Sequence, residues 1–156
     1  MKYTVVAVGK LKERFWSDAC AEYLKRLQPY AKTQIIQVND VNPNKVGGEN
    51  AAVEREGEAI LRAIPERSHV MLLAIDGVER SSEKLSRHFD QLELSGVSDF
   101  TFVLGGSCGV SDAVRKRANE AVSFGPITLP HNLARVVLLE QLYRVQKISH
   151  GEPYHK

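Results

Sequence analysis

An almost continuous apolar run in the middle of the chain, residues 69–75, constrains the fold more than any other segment. A strand that is apolar at nearly every position suits the centre of a parallel sheet, where helices cover both faces. Three further runs, at 3–8, 33–38 and 100–104, are also typical of strands. Helical patterns lie between these runs, and strands that alternate with helices indicate an α/β fold on a parallel sheet.

The helices are predicted from apolar positions three or four residues apart. They cover 13–27, 51–64, 81 or 82 to 94, 112–122 and 132–148. Pro29 and Pro65 end the first two, and Asp76 with Gly77 is expected to turn the chain after the third strand. A very short last strand is expected at 127–129. The prediction is one α/β domain, residues 1–156, with a mainly parallel five-stranded sheet flanked by helices and right-handed crossovers.

Composition is that of an ordinary globular domain. The chain has 156 residues, of which 43% are hydrophobic and 26% charged. No apolar run approaches the roughly 20 residues that span a bilayer, and no export-like segment opens the chain, so we expect a cytoplasmic protein without a membrane partner. Cys20 and Cys108 lack metal-ligand spacing and are expected to be free thiols. A net charge of +2 permits a nucleic-acid partner without requiring one.

The last helix is apolar around most of its circumference. A stripe of about 100° would be enough to pack on one face of a sheet, so the excess calls for a second covering surface. We expect that surface to be a second copy of the chain. The alternative is a helix buried wholly within its own domain. The apolar positions are Leu133, Ala134, Val136, Val137, Leu138, Leu139, Leu142, Tyr143, Val145 and Ile148.

Ligands of open parallel sheets bind where the strands end at their carboxyl sides. Here those ends are 73–77, 104–109 and 129–131. The glycines do not have the G-x-G-x-x-G spacing of a dinucleotide site. Residues 9–11 (GKL) lack the upstream glycine and the hydroxyl residue that a phosphate-binding P-loop requires. Glycines at a strand end instead let the main chain approach a flat, mostly neutral ligand such as adenosine. The alternative is that these segments are simple turns.

Several segments share a specific pattern, which is strongest in the second half of the chain. They are 102–109 (FVLGGSCG), 127–131 (ITLPH), 135–144 (RVVLLEQLYR) and 151–156 (GEPYHK), together with 7–12 (AVGKLK), 15–16 (FW) and 22–27 (EYLKRL). Over its whole length the chain closely resembles the ribosomal RNA large subunit methyltransferase H family, of the SPOUT class. That resemblance implies a homodimer that uses S-adenosyl-L-methionine to methylate N3 of a pseudouridine in 23S ribosomal RNA of the assembled ribosome. It also implies a C-terminal trefoil knot, an exception to the rule that chains do not thread loops.

The resemblance also implies where the cofactor binds. The residues that it assigns to the cofactor site are Leu73, Gly105, Phe124, Gly125, Pro126, Ile127, Thr128 and Leu129. Gly106 is added because two adjacent glycines should share the close approach to a ligand.

A sulfonium methyl group is already electrophilic, so the enzyme must align it with a nucleophile that has lost its proton. No metal is needed for that. The candidates near the reaction are His131, Arg144, Tyr154 and His155. Either histidine could accept the N3 proton, Arg144 could stabilise negative charge or bind phosphate, and Tyr154 could stack on the flipped base or bond to it. The alternatives are that His131 only starts a helix and that Arg144 only pairs with Glu140.

Two other functions fit the same features. One is methylation of a uridine in another RNA, such as tRNA, and the other is a non-catalytic RNA-binding role in ribosome assembly. A metal site at His150 and His155 is not expected, because no further ligand joins them at suitable spacing. With so small a net charge, the shape of an assembled particle is expected to provide much of the recognition.

Overall fold

A computed structural model describes residues 1–155 and arranges them around one five-stranded sheet. The strands are β1 (Lys2–Val8), β2 (Lys32–Val38), β3 (His69–Glu79), β4 (Asp99–Leu104) and β5 (Glu120–Ser123). Their order across the sheet is β2-β1-β4-β3-β5, and every neighbouring pair is parallel. The predicted α/β fold with a five-stranded parallel sheet is confirmed.

Helices cover both faces of this sheet. They are α1 (Arg14–Leu27), α2 (Pro43–Val46), α3 (Glu49–Ala63), α4 (Ser82–Leu94), α5 (Asp112–Arg117) and α6 (His131–Ser149). Side chains alternate along a strand, so Tyr3 and Val5 of β1 pack with α1, α4 and α6, whereas Val6 and Val8 pack with α3 and α5. Burial on both faces explains why β1, β4 and the first half of β3 are mostly apolar, whereas β2 at the edge of the sheet is not.

The turn expected at Asp76 and Gly77 is wrong, because β3 continues through both residues to Glu79. Leu73 and Val78 both pair with Val122 of β5, so the pairing is irregular and residues 74–77 form an extra segment within it. A Cβ at Gly77 would lie 2.7 Å from the backbone of Val122 in β5. Glycine is therefore needed at this position because another strand passes close to it. In the sequence alone, such a glycine cannot be told apart from one that forms a turn.

The end of α5 and the last strand were also predicted wrongly. The helix ends at Arg117 instead of residue 122, and residues 127–129 form a loop, so Glu120–Ser123 is the fifth strand. Asn119 causes the change: its backbone N–H donates to the carbonyl of Val70, and its side-chain Oδ1 accepts from the N–H of the same residue, at 2.8 and 2.7 Å. These two hydrogen bonds hold the chain beside β3, where Val122 becomes part of the sheet.

The last helix is covered largely by its own domain. It packs against α1, α4 and the sheet, and Leu138, Leu139, Leu142 and Val145 are buried. Leu133 remains only half-buried, as do Val136 and Val137, so a second copy of the chain stays a prediction. The trefoil knot likewise stays a prediction.

Two further expectations concern cysteines and membranes. Cys20 is buried, Cys108 is partly exposed, and both are free thiols, as predicted. Among the helices of residues 1–155, none has the length and apolar character needed to cross a membrane.

Candidate functional site

A cavity of about 670 Å³ lies beside the middle of β3 and the carboxyl ends of β4 and β5. Residues 73–76 of β3 form one wall, and the loops that follow β4 and β5 form the others. Eight of the nine residues predicted to bind the cofactor line it, and Pro126 does not. The eight are Leu73, Gly105, Gly106, Phe124, Gly125, Ile127, Thr128 and Leu129.

The wall after β4 is a loop that folds back on itself. The N–H of Gly109 donates to the carbonyl of Gly106 at 3.1 Å. A Cβ at Gly105 would lie 2.5 Å from Cγ1 of Val110, and one at Gly106 would lie 2.9 Å from Oε1 of Glu56. These glycines are therefore required for the loop to close and to pack on α3, in addition to leaving the cavity open on its other side.

Helix α3 supports this loop with adjacent residues. Glu56 is almost fully buried, and its Oε2 accepts the N–H of Val41 at 3.0 Å. Burial raises the pKa of this carboxyl; the bond from Val41 acts against the rise, and the nearby Asp40 adds to it. Gly57 lies directly under the side chain of Ser111, which caps α5. Glu56 and Gly57 therefore support the segment that follows β4. Sequence reasoning missed this supporting role.

A charged pair lies at the mouth of the cavity. Asp76 and Arg115 both line it, and their side chains are 3.6 Å apart. Sequence reasoning missed both, because Asp76 was assigned to a turn and Arg115 lies inside the predicted helix 112–122. The rest of the wall is mostly apolar or backbone, so the cavity suits a ligand with a flat apolar part and a charged end.

His131 is the one predicted catalytic residue that lines the cavity. It is the first residue of α6, as the helix-entry alternative held, and a Cβ at Gly9 would lie 3.7 Å from its Nε2. One turn later the fully buried Arg135 donates to the carbonyl of Gly9 at 3.2 Å. Nε and Nη1 of Arg135 have no partner among the described residues. Together these contacts fix the loop after β1 against the start of α6.

The other three predicted catalytic residues meet at the far end of α6. Arg144 donates from Nε and Nη2 to Oε1 of Glu140 at 3.0 and 2.7 Å, so the predicted ion pair is present. Tyr154 donates to the same oxygen at 3.1 Å. Nε2 of His155 is 2.6 Å from Oε1 of Glu83, and Nδ1 is 3.3 Å from Nη1 of Arg144. We call these five residues the tail cluster.

The tail cluster determines which atoms can act as acid or base. Burial and the neighbouring carboxylate of Glu140 raise the pKa of Tyr154 to about 12, so its hydroxyl keeps its proton at neutral pH. With Nε2 of His155 donating to Glu83, Nδ1 is the acceptor of the bond from Arg144. The Nδ1 lone pair of His155 is therefore occupied by the contact with Arg144.

More aromatic and cationic side chains surround the tail cluster. The rings of Tyr143 and Tyr154 are 4.8 Å apart, Arg26 lies 5.4 Å from the ring of Tyr23, and Lys147 lies 5.8 Å from that of Tyr30. Sequence reasoning missed these neighbours, because Tyr23 and Tyr30 are far from the tail in the chain. Aromatic rings interleaved with cations are typical of surfaces that bind single-stranded RNA.

The cavity and the tail cluster are separate in one chain. His131 and Arg144 are thirteen residues apart on one helix, or about 20 Å at the usual rise. The cavity lining includes His131 but none of Arg144, Tyr154 and His155. The four predicted catalytic residues are therefore not brought together within the chain. Residues 1–155 contain no group of three or more His, Cys, Asp or Glu side chains placed to hold a metal ion.

Comparison with known proteins gives one consistent result. The family model described as "Predicted SPOUT methyltransferase" matches residues 1–155. Proteins named "Ribosomal RNA large subunit methyltransferase H" match over the whole of both chains. Identity is 49% for the protein of Listeria monocytogenes serotype 4b (strain CLIP80459), 46% for that of Latilactobacillus sakei and 50% for that of Lactobacillus acidophilus.

Proposed function

The chain belongs to the SPOUT methyltransferase family, and we propose that it transfers the methyl group of S-adenosyl-L-methionine to N3 of a pseudouridine in 23S ribosomal RNA. The observation that carries this proposal is the cavity at the strand ends, lined by eight of the nine predicted cofactor residues. Full-length similarity to proteins named for methylation of large-subunit rRNA supports the RNA substrate. A ribosomal substrate implies a cytoplasmic protein.

The cavity has the chemistry that this cofactor requires. A wall of glycine backbone and the side chains of Leu73, Phe124 and Leu129 suit the flat adenosine part. Asp76 and Arg115 at the mouth offer a partner for each charge of the amino-acid part. When bound, the cofactor supplies an electrophilic methyl group. The protein's task is then to align the target base and to handle its N3 proton.

The residues outside the cavity wall have three tasks in this proposal. His131, or His155 once it is released from Arg144, accepts the N3 proton of the target base. Arg144 stabilises the negative charge that remains on the ring, and Tyr154 stacks on the base or donates a hydrogen bond to it. Because Tyr154 is protonated at neutral pH, it acts as a donor and not as the base.

A second copy of the chain would join the two halves of the site. The tail cluster lies about 20 Å along α6 from His131, too far for one chain to place both beside the same methyl group. The half-buried Leu133, Val136 and Val137 on α6 give apolar area for a contact between copies. We therefore place the active site between two protomers, with the cavity of one and the tail cluster of the other.

Mixing two inactive variants tests the shared site. A chain with Gly105→Val lacks a working cavity but has an intact tail, and a chain with His155→Ala has the reverse. Neither should methylate alone, and a mixture should regain up to about a quarter of the wild-type rate if subunits mix at random. No recovery from a mixture that sedimentation shows to contain mixed dimers would contradict the shared site.

The reaction is tested with labelled cofactor and three substrates: assembled ribosomes, isolated large subunits and free 23S rRNA. Mass spectrometry of the nucleosides should show N3-methylpseudouridine, with assembled particles preferred. Methylation of tRNA in place of rRNA would favour the first alternative function. Failure to bind the cofactor in calorimetry would favour a non-catalytic assembly factor.

A further inference from the structure

Two aromatic side chains stand at the surface where α1 begins. Phe15 is 62% exposed and Trp16 is half-buried, although other phenylalanines, such as Phe89 and Phe102, lie in the core. The ring centres of Phe15 and Trp16 are 5.0 Å apart, and the ring planes are tilted by 51°. The tilt prevents full stacking of one ring on the other, so each ring offers a face to another flat group.

This aromatic pair lies at the same edge of the sheet as the cavity. The segment that carries it follows the carboxyl end of β1 directly. Its first residue, Gly9, is hydrogen-bonded to Arg135 and lies beside His131, which lines the cavity. A strand of RNA that delivers a base to the cavity would therefore pass close to Phe15 and Trp16.

The charges around the aromatic pair favour a polyanion. Lys10, Lys12 and Arg14 flank it and are exposed. Two carboxylates are also near: Asp18 is 3.7 Å from Arg14, and Glu13 precedes the helix. Lys10 and Lys12 are not part of the Arg14–Asp18 ion pair, so these two lysines supply positive charge to this surface. Lysine is depleted in the centre of protein interfaces, whereas lysine beside exposed aromatic rings is typical of single-stranded RNA sites.

We infer that Phe15 and Trp16 stack on unpaired bases of the RNA next to the target nucleotide, while Lys10 and Lys12 contact its phosphates. This inference rests on the proposed function, because it assigns an RNA contact outside the reacting centre. Stacking needs only the flat face of a base, so the pair holds the strand without reading its sequence. It thereby positions the substrate and leaves the identity of the target base to the cavity and the tail cluster.

The chain reports on this site directly, because Trp16 is its one tryptophan. Tryptophan emission should be quenched in a saturable way by a single-stranded RNA oligonucleotide and not by an RNA duplex of equal charge. Lys10→Ala with Lys12→Ala should weaken the quenching and reduce its dependence on salt. An emission that no RNA changes, or one that the duplex quenches equally well, would overturn the inference.

Kinetics separate stacking from folding and from catalysis. Phe15→Ala should raise the KM for ribosomes about tenfold, with kcat and cofactor affinity unchanged, whereas Phe15→Tyr should restore the wild-type KM. The matched control is Leu94→Ala, which removes a side chain that is 89% exposed at the end of α4. An unchanged KM in Phe15→Ala, while ribosomes are methylated, would refute the inference and leave the proposed function intact.

Two further outcomes distinguish the occupant of this surface. Quenching of Trp16 by single-stranded RNA in a protein that methylates nothing would support the inference and contradict the proposed reaction. If Trp16 emission instead changes on dilution without RNA, and Phe15→Ala shifts the sedimentation of the dimer, the pair contacts a second copy of the chain. That result would overturn the RNA contact.

Discussion

The guanidinium of Arg144 lies 4.6 Å from the centre of the Tyr154 ring, and both side chains donate to the same oxygen of Glu140. A single carboxylate on α6 therefore holds a cation and the last aromatic residue of the chain together. The tail is fixed in this way although it follows the helix as a few residues without regular structure. Its geometry depends on the side chains of α4 and α6.

Tyr154→Phe is expected to reduce methylation with cofactor affinity unchanged. The variant keeps the ring that packs on Arg144 and removes the hydroxyl that bonds to Glu140. A hydrogen bond to a charged group contributes about 1.5–3 kcal/mol, which corresponds to a loss of roughly tenfold or more in kcat. Single-turnover methylation of ribosomes, with cofactor affinity from calorimetry, measures both quantities. A full rate in Tyr154→Phe and in His155→Ala would remove the tail from the active site.

Glu83 should make the tail sensitive to acid. Its own backbone N–H, the Ser81 hydroxyl and His155 lower its pKa from the ordinary 4.5 to about 2. A carboxyl whose pKa is lowered by folding stabilises the folded state above its unfolded pKa, and this stabilisation is lost as the pH falls from 4.5 towards 2. Wild type should therefore lose more stability than Glu83→Gln between pH 6 and pH 3 in urea denaturation. Glu58→Gln, at an exposed position of α3, is the control and should behave as wild type.

Part of the cavity could be predicted because parallel strands end at one edge of a sheet, which brings the glycine loop after β4 close to the segment after β5. The individual residues Leu73 and Leu129 came from the family resemblance, because Leu73 lies within β3 and Leu129 lies in a loop. The need for glycine at position 77 could not be predicted, since its cause is the backbone of a strand more than forty residues later. The contact between His155 and Glu83 likewise depends on how α4 packs against α6. Local sequence carries no signal for either.

Gly105→Val is expected to weaken cofactor binding strongly. A Cβ at this position would lie 2.5 Å from Val110 and 3.3 Å from the carbonyl oxygen of Gly109, so the loop could not close as it does. Distortion of a wall of the cavity should lower cofactor affinity at least tenfold in calorimetry, while circular dichroism shows a folded protein. Leu94→Ala is the control, because that side chain is 89% exposed and lies outside the cavity. Wild-type affinity in Gly105→Val would exclude the glycine loop from the site.

Gly57→Ala should destabilise the protein and weaken cofactor binding together, because α3 supports the glycine loop through this residue. Glycine inside a helix normally costs about 1 kcal/mol relative to alanine, so an unobstructed replacement would be stabilising. Here the added Cβ would overlap the Ser111 hydroxyl, and overpacking of a buried site costs about 1–3 kcal/mol. Ser111→Gly removes the obstruction along with the cap of α5, so the double variant should be more stable than the sum of the single changes predicts. Urea denaturation of the four proteins measures this coupling, and strictly additive changes would show that Gly57 and Ser111 do not pack against each other.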